Sequence, residues 1–383
     1  MLVHMTLTGG RIAVMLAGLN LGMSTLDVGL LIALFALIPM FAAISMGRLI
    51  DRIGAFGPMR LAGVLTVTGI ALPFVWLHWI ALGIAAVFIG LGHAAFQLGT
   101  QQQLGQAEPE QRLRNYSWLA MTLAVSGFSG PLLAGLAIDH LGYRWVFALL
   151  TVPPILALYG LIKKRAVITA SHQVKETPAI RQKAIDLLKI RDLRYTFAAN
   201  GLLAGAWDTH MFLVPLYGVS RDFSATTIGL ILAAFALATF LIRLALPLIQ
   251  RWASPWQLIH IAMITASLNF VLYPLFNEFW ILVSLSFVLG LSLGCTQPSI
   301  LALLQQHAPP GRKAEAFGLR MSLINGSQVS LPITFGALGA FIGITPLFWA
   351  AALAVCGGAW LTRRADREKA QDKHTMSPQD TIK

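Results

Sequence analysis

The chain alternates long, uncharged apolar runs with short polar segments. Runs of about 20 residues, the length that crosses a hydrocarbon core as a helix, recur from one end of the sequence to the other. Gly, Pro and charged residues separate the runs. The pattern predicts twelve transmembrane helices, at residues 2–22, 26–47, 59–78, 80–103, 115–138, 143–162, 194–218, 225–249, 256–275, 278–304, 315–342 and 345–362.

The composition supports an all-α membrane protein. Hydrophobic residues make up 56% of the 383 positions and charged residues 11%, which is too apolar for an ordinary soluble chain. The long runs exclude an outer-membrane barrel, whose strands would alternate polar and apolar residues. The first run lacks a signal-peptide cleavage site and carries Arg11, so we interpret it as a short first span, left short by an upstream start site or by genuine truncation.

The twelve predicted helices fall into two bundles of six. We predict an N-terminal bundle at 1–162, a cytoplasmic linker at 163–193, a C-terminal bundle at 194–362 and a cytoplasmic tail at 363–383. The linker is basic, with a short amphipathic helix expected around residues 185–190. Its basic residues are Lys163, Lys164, Arg165, Lys175, Arg181, Lys183, Lys189 and Arg191.

Charge sets the orientation of the helices. The formal net charge is +12, but the basic residues do not form one patch, so a nucleic-acid partner is disfavoured. If the first helix starts in the cytoplasm, Arg11 and Arg243 fall within spans and Arg144 and Arg221 face outward. The other 24 of the 28 Lys and Arg residues are then cytoplasmic. We therefore expect a bacterial-type inner-membrane protein with both termini in the cytoplasm.

An internal repeat relates the two predicted bundles. Residues 28–37, VGLLIALFAL, align with residues 228–237, IGLILAAFAL, and the same offset of 200 pairs Gly90 with Gly290 and Gln97 with Gln297. Six helices are an even number, so both copies enter the membrane in the same direction. The sequence thus predicts a parallel repeat about an axis along the membrane normal.

The segment after the second predicted helix, GRLIDRIGAFGPMR, contains Gly47, Asp51, Arg52, Gly54 and Arg60. It resembles the signature loop of the major facilitator superfamily (MFS), and span count, linker and repeat extend the resemblance over the whole chain. The resemblance implies a latch on the cytoplasmic side in the outward-facing state; a polar turn that only fixes topology is the alternative. The second half keeps Arg251 but no acidic residue here, which predicts an asymmetric latch.

The fifth predicted helix resembles the superfamily's antiporters. Its GFSGPLLAG segment carries Gly127, Gly130, Pro131 and Gly135, a glycine-proline motif that favours close helix packing and bending. This resemblance favours export. Proton-coupled members commonly have an arginine four residues before the glycine of helix four, where this chain has Ala86, so other groups would have to couple protons.

Polar residues within spans are the candidate cavity residues. By resemblance, helices one, four, seven and ten line the central cavity of the superfamily. Those helices carry Arg11, His93, Gln97, Asp208, His210 and Gln297.

Arg11 and Asp208 lie at comparable depths when counted back from Gly22 and Gly218. We hypothesise that they form a pair across the halves, in which Asp208 exchanges the proton and Arg11 keeps it ionised until substrate intervenes. A permanent structural ion pair is the alternative.

The remaining polar residues have two interpretations each. His93 is either a pH-responsive group or a hydrogen-bonded structural histidine. Gln97 and Gln297 either bind solute hydroxyl or carbonyl groups or bond between helices. We favour a structural role for Arg243, and the sequence assigns no role to Asn200, Asn269 or Asn325.

The sequence as a whole favours a monomeric secondary transporter that works by alternating access. No P-loop or metal-ligand cluster is present, and Cys295 and Cys356 lie in apolar runs as ordinary buried thiols, so we expect no cofactor, metal or disulfide. The expected partners are a small organic solute, protons and the lipid bilayer. Proton-coupled export is preferred to nutrient uptake or a non-transporting sensor, and no catalytic motif indicates an enzyme.

Overall fold

The computed structural model describes residues 1–105, 109–163, 184–309 and 312–375. Within these ranges the secondary structure is entirely helical, which confirms the all-α prediction. Short 3₁₀ helices cover Ala184–Lys189, where the sequence predicts a linker helix, and Tyr273–Leu275. The α-helices are α1 Leu2–Asn20, α2 Thr25–Ile53, α3 Phe56–Val75, α4 Trp79–Gly105, α5 Pro109–Leu141, α6 Trp145–Lys163, α7 Arg191–Ser220, α8 Ala225–Ile249, α9 Pro255–Leu272, α10 Phe279–Gly294, α11 Thr296–His307, α12 Lys313–Ile342 and α13 Thr345–Thr375.

Twelve helical segments correspond to the twelve predicted spans, with α10 and α11 forming one segment. Nine of them, in the part of the chain that the structure describes, are long and apolar enough to cross a membrane. The apolar part of α13, Thr345–Trp360, is shorter. The other two, α7 and α12, are more polar because they carry buried polar side chains that face each other. The chain is a multi-pass membrane protein.

The predicted helix at 278–304 is interrupted at Cys295, between α10 and α11. Pro298 has no backbone N–H, so the carbonyl of Gly294 loses the partner that a continuous helix would give it. The Nε of Arg243 in α8 donates to that carbonyl at 3.3 Å. An arginine inside a span thus satisfies a backbone oxygen freed by proline, as the hydrocarbon core requires. The structural role predicted for Arg243 has this contact in its favour.

Two helices extend beyond their predicted ends. Helix α2 continues to Ile53, so Gly47 and Asp51 lie in its last turns and the connection to α3 is only Gly54 and Ala55. Gly54 has φ +82°, a left-handed conformation that glycine adopts without strain. Helix α13 continues to Thr375, well into the predicted tail.

The repeat predicted from the sequence recurs in the packing. A side chain at Gly90 would meet the backbone of Phe35, and one at Gly290 would meet that of Phe235, 200 residues later in each case. The turns before α2 and α8 also match, because Gly22 and its equivalent Asp222 both have positive φ. The two six-helix bundles are therefore pseudo-symmetric.

The bundles meet at two equivalent interfaces, α5 with α8 and α2 with α12. In the first, Gly135 packs on the carbonyl of Ala225 and Gly229 packs on that of Pro131. In the second, Gly336 packs on Thr25 and Gly29 packs on Pro332. Glycine is needed here because any side chain would meet backbone of the other bundle. Both interfaces lie near the starts of α2 and α8, which we call the α2/α8 end of the molecule.

Candidate functional site

Asp208 is a buried carboxylate at the centre of α7. Only 5% of its surface is exposed, and the hydroxyl of Ser327 in α12 donates to its Oδ2 at 2.7 Å. The sequence predicts Asp208 as a site residue but not its partner. A serine on α12 is not recognisable beforehand, because α12 is outside the four helices expected to line the cavity.

Arg11 lies in α1 and its charge interacts with that of Asp208 across the two bundles. The two groups do not form a contact ion pair of 4.0 Å or less among the described residues, and the guanidinium instead lies 6.0 Å from the ring centroid of Phe35. The structural equivalents are Gly18 and Gly218, so Arg11 is seven residues and Asp208 ten residues from matching points. The depths differ by about one turn, more than the count from Gly22 suggests.

His93 lies beside a residue that the sequence analysis missed, His4. Their ring centroids are 5.3 Å apart, and Nδ1 of His4 is buried without a hydrogen-bond partner. Gln97, one turn further along α4, is also close to His93. The charge of Arg11 acts on His93, so these groups form one polar cluster with Arg11 in the N-terminal bundle.

Gln297 and Gln97 are equivalent in the repeat but differ in their contacts. Oε1 of Gln297 accepts a hydrogen bond from Arg243 at 3.1 Å, whereas residue 43, the counterpart of Arg243, is an alanine. The interhelical interpretation of Gln297 therefore has a direct contact in its favour. Gln97 is exposed and remains a candidate for binding a solute.

His210 is fully buried two residues after Asp208 in the sequence, but it faces aromatic side chains. Its ring stacks on Phe235 with centroids 4.5 Å apart and lies edge-on to Tyr273. Neither ring nitrogen has a hydrogen-bond partner. The structure thus places His210 within the packing of the C-terminal bundle.

A second polar contact joins α7 and α12. Nε of Arg320 donates to Oδ1 of Asn200 at 3.1 Å, and both side chains are buried. The sequence analysis counted Arg320 among the cytoplasmic charges and gave Asn200 no role. The low apolarity of α7 and α12 distinguishes these two helices in the sequence but does not identify the two residues.

The glycine-proline motif of α5 lies between two neighbouring helices. Gly130 packs on α1, where the hydroxyl of Thr8 donates to the carbonyl of Ser126 at 2.9 Å. Pro131 and Gly135 pack on α8, and Gly127 approaches Ala236 of the same helix. The motif therefore serves close packing within one bundle and between the two bundles.

The predicted latch motif is only partly described. Gly47, Asp51 and Arg52 are described only as part of the α2 backbone, and the contacts of Asp51 and Arg52 lie outside what the structure describes. Arg60 donates from Nε and from its terminal nitrogen to the carbonyl of Leu161, at 3.2 and 3.0 Å, which ties α3 to the end of α6. This contact lies within the N-terminal bundle and does not join the two bundles, so the latch stays a prediction.

No group of His, Cys, Asp and Glu in the described ranges could hold a metal ion. Both cysteines are free thiols; Cys295 is buried as predicted, but Cys356 is exposed. That part of the prediction is wrong because an apolar run on an outer helix faces lipid rather than the core.

Comparison with known proteins gives the family. The model of the Major Facilitator Superfamily matches residues 2–327 and 248–382. Quinolone resistance protein NorA of Staphylococcus aureus is 24% identical over 143 residues, and the match covers 37% of each chain.

Solved structures share the fold. A bacterial homologue of the human lysosomal transporter Spinster, in an inward-facing and occupied conformation, has a TM-score of 0.76 at 13% identity, over 96% of this chain and 95% of that one. The nucleoside transporter NupG has a TM-score of 0.72 at 14% identity, over 95% and 96%. With the family model matching nearly the whole sequence, the chain belongs to the Major Facilitator Superfamily.

Proposed function

We propose that this chain is a monomeric secondary transporter of the bacterial inner membrane, which exports a small organic solute in exchange for protons by alternating access. Both termini face the cytoplasm, as the distribution of basic residues favours. The local similarity to a quinolone resistance protein supports export of an organic compound, because removing a drug from the cell is one way to resist it.

The observation that carries the proposal is the Asp208 carboxylate, buried between α7 and α12 and within electrostatic reach of Arg11 in the other bundle. An ionised carboxylate at this depth needs compensation, which Arg11 of the other bundle and the Ser327 hydroxyl supply. A proton on Asp208 removes the attraction between α1 and α7. Protonation therefore changes the interaction between the bundles, which is what coupling requires.

Arg11 then provides the link to the solute. When Asp208 is protonated, Arg11 loses its nearest opposite charge, and a polar group of a solute can take that place. Proton and solute thus alternate at one pair of residues, and the pseudo-symmetric bundles rock around it.

Transport in proteoliposomes tests this proposal, with norfloxacin as the probe quinolone. An acidic lumen should drive the accumulation of norfloxacin. Asp208→Asn should reduce this accumulation roughly tenfold or more, but norfloxacin exchange measured in the absence of a pH gradient should persist. Asp27→Asn is the matched control, because it removes a carboxylate that only caps its own helix. Unchanged pH dependence in Asp208→Asn would defeat the coupling role.

Two further results separate the alternatives. Accumulation only when the outside is acidic would indicate uptake with protons rather than export. If Arg11→Gln and Asp208→Asn each lower thermal stability, and the double variant recovers both stability and pH-dependent transport, the pair is purely structural.

A further inference from the structure

Two polar contacts join helices α7 and α12. In one of them an arginine bonds to a neutral side chain, so that contact contains no carboxylate to balance the positive charge. Ser327 and Arg320 are seven residues apart on α12, so they lie on one face about 10 Å apart along the helix. Ser327 bonds to Asp208, and Arg320 bonds to Asn200. The first contact contains a carboxylate and the second contains none.

Arg320 is a buried cation. Only 6% of its surface is exposed, its Nε donates to Oδ1 of Asn200, and its Nη1 lies 3.9 Å from Sδ of Met321. Across the described ranges no carboxylate forms an ion pair with it. Burying a charge without an opposite charge is unfavourable, because the ion loses its hydration.

The side-chain amide of Asn200 carries a hydrogen-bond donor that has no partner. An arginine can only donate, so the amide oxygen of Asn200 must face Arg320 and its NH₂ group must point away. That nitrogen is buried without a hydrogen-bond partner, in a side chain that is 4% exposed. Arg320 therefore lies beside a buried amide donor that has no acceptor, and a buried donor is costly to leave unpaired.

A purely topological role does not account for this arrangement. Arginines that only set orientation lie in solvent or headgroups, as the exposed side chains of Arg251 and Arg363 do. Arg320 is packed inside the C-terminal bundle instead. Among the described residues, Asp208 is the carboxylate whose charge interacts with that of Arg11, whereas no carboxylate pairs with Arg320.

We infer that Arg320 and the amide nitrogen of Asn200 bind the anionic group of the transported solute, a carboxylate or phosphate ester. The inference rests on the proposed transport function and names its substrate class as organic anions. Guanidinium forms charge-assisted, often bidentate, hydrogen bonds with both groups, and the Asn200 NH₂ adds a third donor. The site lies two turns along α12 from the Asp208 pair, so an anion bound there leaves Asp208 free to exchange its proton.

Equilibrium binding to the full chain in phosphatidylcholine nanodiscs tests the inference. The probes are naphthalene-2-carboxylate, 2-naphthyl phosphate and the neutral naphthalene-2-carboxamide. We expect both anions to bind and to raise the melting temperature, and the amide to bind roughly tenfold more weakly or not at all. Equal binding of carboxylate and carboxamide would overturn the inference.

Variants then locate the site. Arg320→Gln should weaken anion binding roughly tenfold, whereas Arg251→Gln, the exposed control, should bind as the parent does. Asn200→Asp gives Arg320 a carboxylate within the protein, so it should raise the melting temperature without ligand and abolish anion binding. Anion binding that survives both Arg320→Gln and Asn200→Asp would overturn the assignment.

A lipid headgroup is the other source of the same chemistry, and phosphatidylglycerol nanodiscs distinguish it. If that lipid raises the melting temperature only when Arg320 is present and displaces the naphthalene probes, the site holds lipid and the solute assignment is wrong. Because these measurements need no proton gradient, they can succeed when coupled export fails. They can likewise fail when pH-driven flux is intact, so the two proposals are tested separately.

Discussion

The two interfaces between the bundles have the same backbone packing but different electrostatics. At α5–α8, both oxygens of Asp139 accept backbone hydrogen bonds from the start of α8, from Ala225 at 3.0 Å and Thr226 at 2.7 Å. At α2–α12 the equivalent of Asp139 is Ala340, and the contact is a hydroxyl bond from Thr25 to the carbonyl of Gly336 at 2.9 Å. A carboxylate at a helix N-terminus is stabilised by free N–H groups and the helix dipole.

The difference shows how a duplicated fold becomes asymmetric. Glycines keep the close approach at both interfaces, so this packing cannot diverge without a backbone clash. The residue near the end of α5 or α12, Asp139 or Ala340, can diverge, because it changes the strength of the contact without a backbone clash. We therefore expect the glycines to determine whether the α2/α8 end closes, and Asp139 to determine how firmly.

The largest effect is expected from filling one glycine contact. A methyl group at Gly336 would lie 2.6 Å from the carbonyl oxygen of Thr25, so Gly336→Ala should push α12 from α2 and raise the population open at the α2/α8 end roughly tenfold. The distance between spin labels on Leu21→Cys and Ser220→Cys, with Cys295 and Cys356 replaced by serine, reports that opening. Gly326→Ala on the same helix is the control, since nothing lies near it. Equal distance distributions for the two variants would contradict the prediction.

A smaller effect is expected from the charge at the other interface. Asp139→Asn keeps one acceptor oxygen but removes the negative charge, and Asp139 is exposed, so the cost should be about 1 kcal/mol. The same spin-label distance should show the open population rising roughly fivefold. Asp27→Asn, which affects a capping box within one bundle, should leave the distance unchanged. A response as large for Asp27 would show that the effect is not specific to the interface.

The smallest effect is expected from restoring symmetry. Ala340→Asp places a carboxylate beside the start of α2, as Asp139 stands beside the start of α8, and should lower the open population about two- to threefold. In an Asp139→Asn background it should recover part of the lost closure. An increase in the open distance would mean that the two interfaces are less alike than their glycines suggest.

The sequence predicts the helices and the repeat well because both depend on local apolarity and on spacing. Asp208 and Arg11 could also be found, since charges within apolar runs are conspicuous. Arg320 could not, because it lies near the end of its span, where a basic residue normally indicates a cytoplasmic end. Only the packing of α12 against α7 shows that it is buried.

The hydrogen-bond partners of the candidate site residues are harder to predict from the sequence. Ser327 and His4 belong to residue types that occur throughout the chain, and their relevance depends on tertiary contacts. The sequence analysis predicts one continuous helix at 278–304 and misses the interruption at Cys295, and the arginine that stabilises the interruption is on another helix. Long-range contacts of this kind leave no periodic signal in the sequence.

The interruption between α10 and α11 also affects which helices of the C-terminal bundle can move independently of one another. The buried carbonyl of Gly294 accepts a hydrogen bond from a side chain of α8 rather than from its own helix, and the same guanidinium donates to Gln297 on the other side of the interruption. One side chain of the neighbouring helix α8 therefore forms hydrogen bonds on both sides of the interruption. We therefore expect α8, α10 and α11 to keep their relative positions in any movement of the C-terminal bundle, because Arg243 connects the first of these helices to the other two.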